Sequence, residues 1–109
     1  MSEFVPVVPK AVEHREGVPA YTKAEFAGKK SRYCLLIPVI NEGERILAEL
    51  DRAAATGVTR LCDVALCDGG STDGSMDQAG LARRGVNTLL VKTGPGKQGA
   101  QLRMGIAWA

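Results

Sequence analysis

Three polar or glycine-rich segments carry the side chains of this sequence that could do chemistry. The strongest is the run DGGSTDG, which places the carboxylate of Asp68 directly before two glycines. Asp68 would accept hydrogen bonds from a base or a ribose, while Gly69 and Gly70 would let a ligand approach the backbone closely. The alternative is an ordinary strand-to-helix turn. In either case Thr72 or Asp73 is expected to cap the next helix.

Two further segments have similar features. Pro38 lacks a backbone donor and has a fixed φ, so it would hold the chain open for a planar ligand, and Glu42 would accept hydrogen bonds from ribose hydroxyls. Capping of the following helix is the alternative role for Asn41 and Glu42. Lys97 lies between glycines near a helix start, where free backbone donors favour a phosphate, although a solvated lysine on a turn is the alternative. The segment is not a Walker A loop, because Gln98 stands where the Mg-binding Ser or Thr would be.

A strand–loop–helix unit positions each segment and recurs along the chain. Continuous apolar runs predict buried strands, and apolar residues at helical spacing predict the helix after each loop. The predicted strands are 33–37, 61–67 and 86–92, and the predicted helices are 46–54, 75–84 and one from about residue 99, with Leu102 and Ile106 on one face. Because parallel neighbours need crossover connections, these units predict an α/β fold, a three-layer Rossmann-like parallel sheet. Ligands bind such sheets outside the carboxyl ends of the strands, which all three segments follow.

The two ends of the sequence differ from this repeating part. Prolines and scattered charges predict an extended N-terminal arm at 1–32, which leaves an α/β portion at 33–109. A short helix at 22–27, capped by Thr22 with Glu25 as its partner, is an alternative within the arm. The last predicted helix reaches Trp108 without a glycine cap or a proline stop. We therefore expect that the native chain continues, with a true terminus as the alternative.

The composition argues against several functional classes. Net charge is +2 with scattered basic residues, and only 5% of residues are aromatic, so we expect no nucleic-acid partner. The three cysteines lack zinc-ligand spacing and are expected to be reduced, and the sole histidine is His14, so no metal site is predicted in this chain. The sequence shows no basic secretory leader and no apolar run of about 18 residues. We expect a cytoplasmic protein, either free or associated with a membrane surface.

In their order and their positions at successive strand ends, the three segments resemble motifs of the family 2 glycosyltransferases, which have the GT-A fold. IPVINE resembles P-V-x-N-E, CDGGSTDG resembles D-D-G-S-T-D-G, and GPGKQGAQLRMG resembles G-K-x-x-A-L-x-x-G. The resemblance covers about residues 33–108 and is most specific in the middle motif. It implies that the chain is the N-terminal, nucleotide-binding half of a GT-A domain.

The resemblance also implies a role for each matched residue. Pro38 and its neighbours would line the base pocket, Glu42 would contact the ribose, and Asp68 would contact the nucleoside. Lys97 would lie near the base or the diphosphate. The nucleotide-binding residues so predicted are Pro38, Val39, Asn41, Glu42, Asp68, Gly69, Gly70 and Lys97.

Two positions depart from the family pattern. Gly69 stands in place of a second carboxylate that commonly recognises the base, and Ile40 stands where Tyr or Phe is frequent. The family's metal-binding D-x-D segment and its catalytic base follow later in the fold. No catalytic residue and no metal ligand is therefore predicted in this chain, and the 109-residue piece alone is expected to bind nucleotide without turnover.

For the parent protein, the resemblance implies a glycosyltransferase that uses a UDP- or GDP-linked sugar. Mg or Mn held by other residues would bridge the diphosphate, and the acceptor, lipid-linked or saccharide, is unidentified. The oligomeric state is open and includes a homo-oligomer. One alternative is a non-catalytic nucleotide-binding or assembly module, completed by a partner at the exposed sheet edge. A nucleotidyltransferase or dinucleotide-binding fragment is disfavoured, because no G-x-G-x-x-G follows the first predicted strand.

Overall fold

The computed structural model of the chain describes residues 6–15, 17–94 and 98–109, and every structural statement below concerns these residues. In chain order, its strands and helices are β1 (Lys10–Val12), β2 (Tyr21–Glu25), β3 (Cys34–Val39), α1 (Glu44–Ala55), α2 (Val58–Leu61), β4 (Asp63–Asp68), α3 (Gln78–Arg83), β5 (Thr88–Lys92) and α4 (Gln98–Trp108). The predicted strand at 61–67 starts later than expected, because the short helix α2 takes up its first residue.

The described strands form a mixed sheet in the order β1-β2-β5-β4-β3. β3, β4 and β5 are parallel, whereas β2 is antiparallel to both β1 and β5. The predicted α/β class is confirmed, but the prediction of a parallel sheet holds for three strands only. Residues 1–32, interpreted from the sequence as an arm, include the two antiparallel strands.

The helix expected as an alternative at 22–27 is wrong, because β2 occupies most of this segment. Each of the five β2 residues pairs with a residue of β5, which satisfies the backbone along the edge of the parallel strands. Tyr21 and Ala24 point to opposite faces of the sheet and are both buried. Burial on both faces favours strand over helix here.

Helices cover both faces of the sheet and give it two apolar clusters. On one face, Ile46 and Leu50 of α1 and Leu81 of α3 pack against alternate residues of β4. On the other face, Met104 and Trp108 of α4 pack against the intervening residues. All six β4 residues are buried, which explains the continuous apolar run in the sequence.

Helix α4 presents a different face to the sheet from the one that the sequence suggested. Ile106 is 67% exposed, whereas Ala100, Gln101, Met104 and Trp108 are buried. Gly105 allows the close approach, since a Cβ at that position would lie 2.7 Å from the Sγ of Cys67. Among the described helices, none is long and apolar enough to cross a membrane.

Strand β3 lies at the edge of the described sheet and contains Pro38, which was expected at the strand's end. The carbonyl oxygens of Tyr33 and Val39 both accept hydrogen bonds from the β4 side, from Asp63 N and Gly69 N at 2.9 Å. Because residues alternate along a strand, Pro38 has its missing N–H on the free side. Proline is tolerated there, since no ladder bond is lost.

Candidate functional site

The carboxyl ends of β3 and β4 bring two of the predicted segments together. Val39 and Asp68 are partners in the parallel register, so the residues that follow each strand lie side by side. The helices change faces after β5, since α1 and α3 cover one face and α4 covers the other. Doubly wound sheets bind ligands outside the carboxyl ends of their parallel strands, which is where both loops lie.

Asp68 is buried, and its carboxylate holds the loop that follows it. Oδ1 accepts hydrogen bonds from Gly70 N at 3.2 Å, Ser71 N at 2.9 Å and Ser71 Oγ at 2.6 Å. Oδ2 accepts a longer bond from Ser71 N at 3.1 Å. Gly70 has φ 110°, a conformation that favours glycine. Asp68 therefore orders its own loop, a role that its motif alone did not indicate.

Asn41 joins the two loops to each other. Its Oδ1 accepts a hydrogen bond from Thr72 N at 2.7 Å, and its backbone N donates to Ser71 Oγ at 2.9 Å. Asn41 has φ 46°, which asparagine tolerates better than most residues. Its side-chain oxygen is occupied by this contact, so Asn41 shapes the site by linking the loops.

Asp73 makes a second link between the loops. Its carboxylate accepts hydrogen bonds from Gly43 N at 2.9 Å, Ser75 N at 3.0 Å and Ser75 Oγ at 2.6 Å. The hydrogen bonds from Ser75, and to a smaller extent that from Gly43, lower the pKa of Asp73 below its ordinary value. Gly43 is the N-cap of α1 and has no side chain to satisfy the helix.

The capping residues differ from those predicted. Neither Thr72 nor Asp73 caps α3. The cap is Asp77, whose carboxylate accepts a hydrogen bond from Gly80 N at 3.1 Å. The alternative role proposed for Asn41 and Glu42 is also wrong, because the N-cap of α1 is Gly43.

Glu42 is a half-buried residue of the loop after β3. In the part of the chain that the structure describes, its carboxylate accepts no hydrogen bond and joins no ion pair. Unlike Asp68 and Asp73, it accepts no hydrogen bond from the described residues, so both of its oxygens keep the acceptor capacity that a ligand hydroxyl would need.

Gln101 is a site residue that sequence reasoning missed. Its Nε2 donates to Val39 O at 3.0 Å and to Cys67 O at 2.8 Å, so the side chain bridges the carboxyl-terminal ends of β3 and β4. A signal was present in the sequence, because Gln101 shares the buried stripe of α4 with Met104 and Trp108 at helical spacing.

The structure places four more of the predicted nucleotide-binding residues at this edge of the sheet. Pro38, Val39, Gly69 and Gly70 lie at the strand ends or directly after them. Lys97 lies outside the described residues.

The cysteines are free, and the described residues contain no group of three or more His, Cys, Asp or Glu side chains that could hold a metal ion. Burial raises the pKa of the Cys67 thiol to about 11. These side chains therefore do not form a donor set for the Mg or Mn that the resemblance implies, and no metal-dependent step is assigned to them.

No family model, curated protein or solved structure matches the chain. Its function is therefore inferred from the motifs and from the geometry of the strand ends.

Proposed function

We propose that this chain binds the nucleotide of a UDP- or GDP-linked sugar and belongs to a glycosyltransferase of the GT-A type. The observation that carries the proposal is the pair of loops after β3 and β4, which are hydrogen-bonded to each other through Asn41 and Asp73. These loops carry the two motifs that resemble family 2 glycosyltransferases. Their position at the carboxyl ends of parallel strands is where such sheets bind nucleotides.

Each residue of the proposed site acts through a specific group. Glu42 would accept hydrogen bonds from the ribose hydroxyls, since its carboxylate has no protein donor among the described residues. Asp68 would contact the nucleoside through lone pairs that its loop leaves free, and it holds the loop in place. Gly70 keeps the backbone accessible, since a Cβ there would meet no atom within 4 Å, whereas Gly69 lies against the side chain of Gln101. Lys97 would contact the base or the diphosphate, as the resemblance implies.

Prebuilt loops favour binding because the ordering cost is met on folding. The contacts from Asn41 and Asp73 hold the backbone of both loops before any ligand arrives. A Mg or Mn ion held by residues outside the described site would neutralise the charge of the diphosphate when bound. The described residues bind and orient the nucleoside end of the donor, and transfer of the sugar to an acceptor requires further groups.

The direct test is a titration of the full-length protein with UDP, GDP and NAD. We expect UDP or GDP to bind more tightly than NAD. Glu42→Gln should weaken binding about tenfold, since loss of a charged hydrogen bond costs roughly 1.5 kcal/mol. Glu49→Gln is the matched control, because Glu49 lies on α1, and its carboxylate contacts Arg45 at 3.8 Å rather than the linked loops. Tighter binding of NAD, or equal effects of the two substitutions, would contradict the proposal.

A second candidate function is a non-catalytic module that a partner completes. Its support is the outer edge of β3, on the side away from β4, which no described strand covers. The exposed side chains of Tyr33 and Ile40 lie at the two ends of this strand. Sugar transfer or donor hydrolysis by the full-length protein would favour the transferase. Nucleotide binding with no turnover under any acceptor and metal condition would favour the module.

A further inference from the structure

The carboxamide of Gln101 is held in one orientation at the edge of the proposed site. The side chain is 6% exposed, and its Nε2 donates to the carbonyl oxygens of Val39 and Cys67 at 3.0 and 2.8 Å. A flipped carboxamide would place Oε1 against both carbonyl oxygens, which are acceptors only. The position of Oε1 is therefore determined by the two strand ends.

Oε1 of Gln101 is the free acceptor of this carboxamide as far as the described residues are concerned. Residues 6–15, 17–94 and 98–109 supply no hydrogen bond to it. Toward the described residues it is an oriented, unpaired acceptor at this edge, available to a ligand.

Gly69 provides the space that Gln101 occupies. The φ of Gly69 is outside the left-handed region, so its backbone does not require glycine. A Cβ at this position would lie 3.2 Å from both Cδ and Oε1 of Gln101 and 3.3 Å from Nε2. A larger side chain at position 69 is therefore incompatible with the present position of Gln101. The two residues form one unit, in which a missing side chain on the loop makes room for a carboxamide from α4.

We propose that Gln101 determines the base specificity of the nucleotide site, through a hydrogen bond from a protonated ring nitrogen of the base to Oε1. The inference rests on the proposed nucleotide-binding function. The family that this chain resembles commonly has a base-recognising carboxylate at the position of Gly69. Here Oε1 of Gln101 provides an acceptor against that same position.

The chemistry of the acceptor defines the class of base. Uracil and guanine carry a ring N–H, which pairs with an amide oxygen. Cytosine and adenine present an unprotonated ring nitrogen at the corresponding place, so two lone pairs would oppose each other and Oε1 would stay unpaired. A site that hydrogen-bonds to a ligand N–H discriminates strongly against an analogue that lacks it.

The test compares UDP with CDP, which have nearly the same size and the same diphosphate. The full-length protein should bind UDP at least about tenfold more tightly than CDP, as expected for one hydrogen bond. Gln101→Met keeps the approximate shape but removes the acceptor, so the UDP-to-CDP ratio should fall towards one. A purely structural role for Gln101 predicts weaker binding of both nucleotides with an unchanged ratio, which would overturn the inference.

Gln78→Met is the matched control for this experiment. The Gln78 carboxamide also bonds to the backbone, at Val7 N and O, but on α3 and away from the strand ends. Its substitution should leave the ratio unchanged, and an equal fall in both variants would overturn the inference. If Gln101→Met does not fold, Gly69→Ala serves instead, because its Cβ displaces the carboxamide by a few tenths of an ångström. Gly69→Ala should lower the ratio, and an unchanged ratio would also overturn the inference.

The same titrations separate this inference from the proposed function. Binding of UDP, CDP, GDP and ADP with equal affinity would overturn the role of Gln101 and leave nucleotide binding intact. Failure of all four to bind at millimolar concentration would overturn the proposed function, and the inference with it.

Discussion

Asp68→Asn should destabilise the protein by about 2 kcal/mol, because the carboxylate of Asp68 holds its own loop. The carboxylate accepts hydrogen bonds from Gly70 N, Ser71 N and Ser71 Oγ. Bonds to a charged acceptor contribute roughly 1.5 to 3 kcal/mol and neutral ones about half as much, and asparagine offers one oxygen where aspartate offers two. The lower cost of burying a neutral amide offsets part of this loss.

Urea unfolding followed by tryptophan fluorescence measures this change, since the chain has a single tryptophan, Trp108, which is buried. A loss of about 2 kcal/mol in a domain of this size corresponds to a melting temperature lower by roughly 8 to 16 °C. Asp51→Asn is the control, because Asp51 makes an exposed ion pair with Arg84 at 3.0 Å that should contribute less than about 1 kcal/mol. Equal stability of the two variants would refute the assignment of Asp68 as the residue that holds the loop.

The same variant separates loop ordering from ligand contact. Ser71→Ala removes the 2.6 Å bond to Asp68 and the acceptor for Asn41 N, but leaves the carboxylate in place. If Asp68 also contacts the nucleoside, Asp68→Asn should weaken nucleotide binding more than Ser71→Ala does, even where the two substitutions lower the free energy of unfolding by the same amount. Equal weakening would restrict Asp68 to ordering the loop.

Three further predictions concern helix packing, thiol reactivity and pH. Gly105→Ala should lower the free energy of unfolding, measured in urea, by about 1 to 3 kcal/mol, because the added Cβ would lie 2.7 Å from Cys67 Sγ. Gly99→Ala in the same helix is the control and should leave the unfolding free energy unchanged, since its Cβ would meet no atom closer than 3.6 Å. Cys67 should resist iodoacetamide at pH 8 until urea unfolds the protein, because it is buried and its pKa is raised to about 11. Peptide mass spectrometry measures the labelling of each cysteine. Equal labelling rates of Cys67 and Cys62 in the folded protein would contradict this prediction. The pKa of Asp73 is lowered on folding from 3.8, so the stability that its ionised form contributes is present above pH 3.8 and is lost as the pH falls through the folded-state value. The difference in unfolding free energy between wild type and Asp73→Asn should therefore shrink below pH 3.8, and a difference independent of pH would rule this out.

The parallel half of the fold could be predicted from local patterns, and the antiparallel half could not. β4 is buried on both faces and appears in the sequence as an uninterrupted apolar run. β2 contains Lys23 and Glu25, and its strand conformation depends on pairing with β5, more than sixty residues later in the chain. Pro38 was expected to end its strand, but it lies inside β3. A strand tolerates proline where the missing N–H faces the free side, and which side is free is a property of the assembled sheet.

The candidate site shows the same division. The motifs around Asp68 and Asn41 predicted that their loops lie together at one edge of the sheet, as the structure shows, but not the bonds between the loops, because Asn41 and Thr72 are distant in sequence. Gln101 was missed for the same reason, since its partners Val39 and Cys67 belong to two other elements. Side-chain roles that depend on tertiary contacts were beyond the reach of spacing arguments.

The proline at the sheet edge also has a consequence for the behaviour of concentrated protein. β3 is uncharged and apolar from Cys34 to Val39, and no other described strand covers its outer edge. An apolar strand with an uncovered edge can template intermolecular pairing that leads to aggregates. Pro38 interrupts the row of outward N–H groups near its end, so another strand that docks there meets a missing donor. We therefore expect Pro38 to protect this edge against aggregation, so a substitution of Pro38 should reduce colloidal stability even where the folded state tolerates the change.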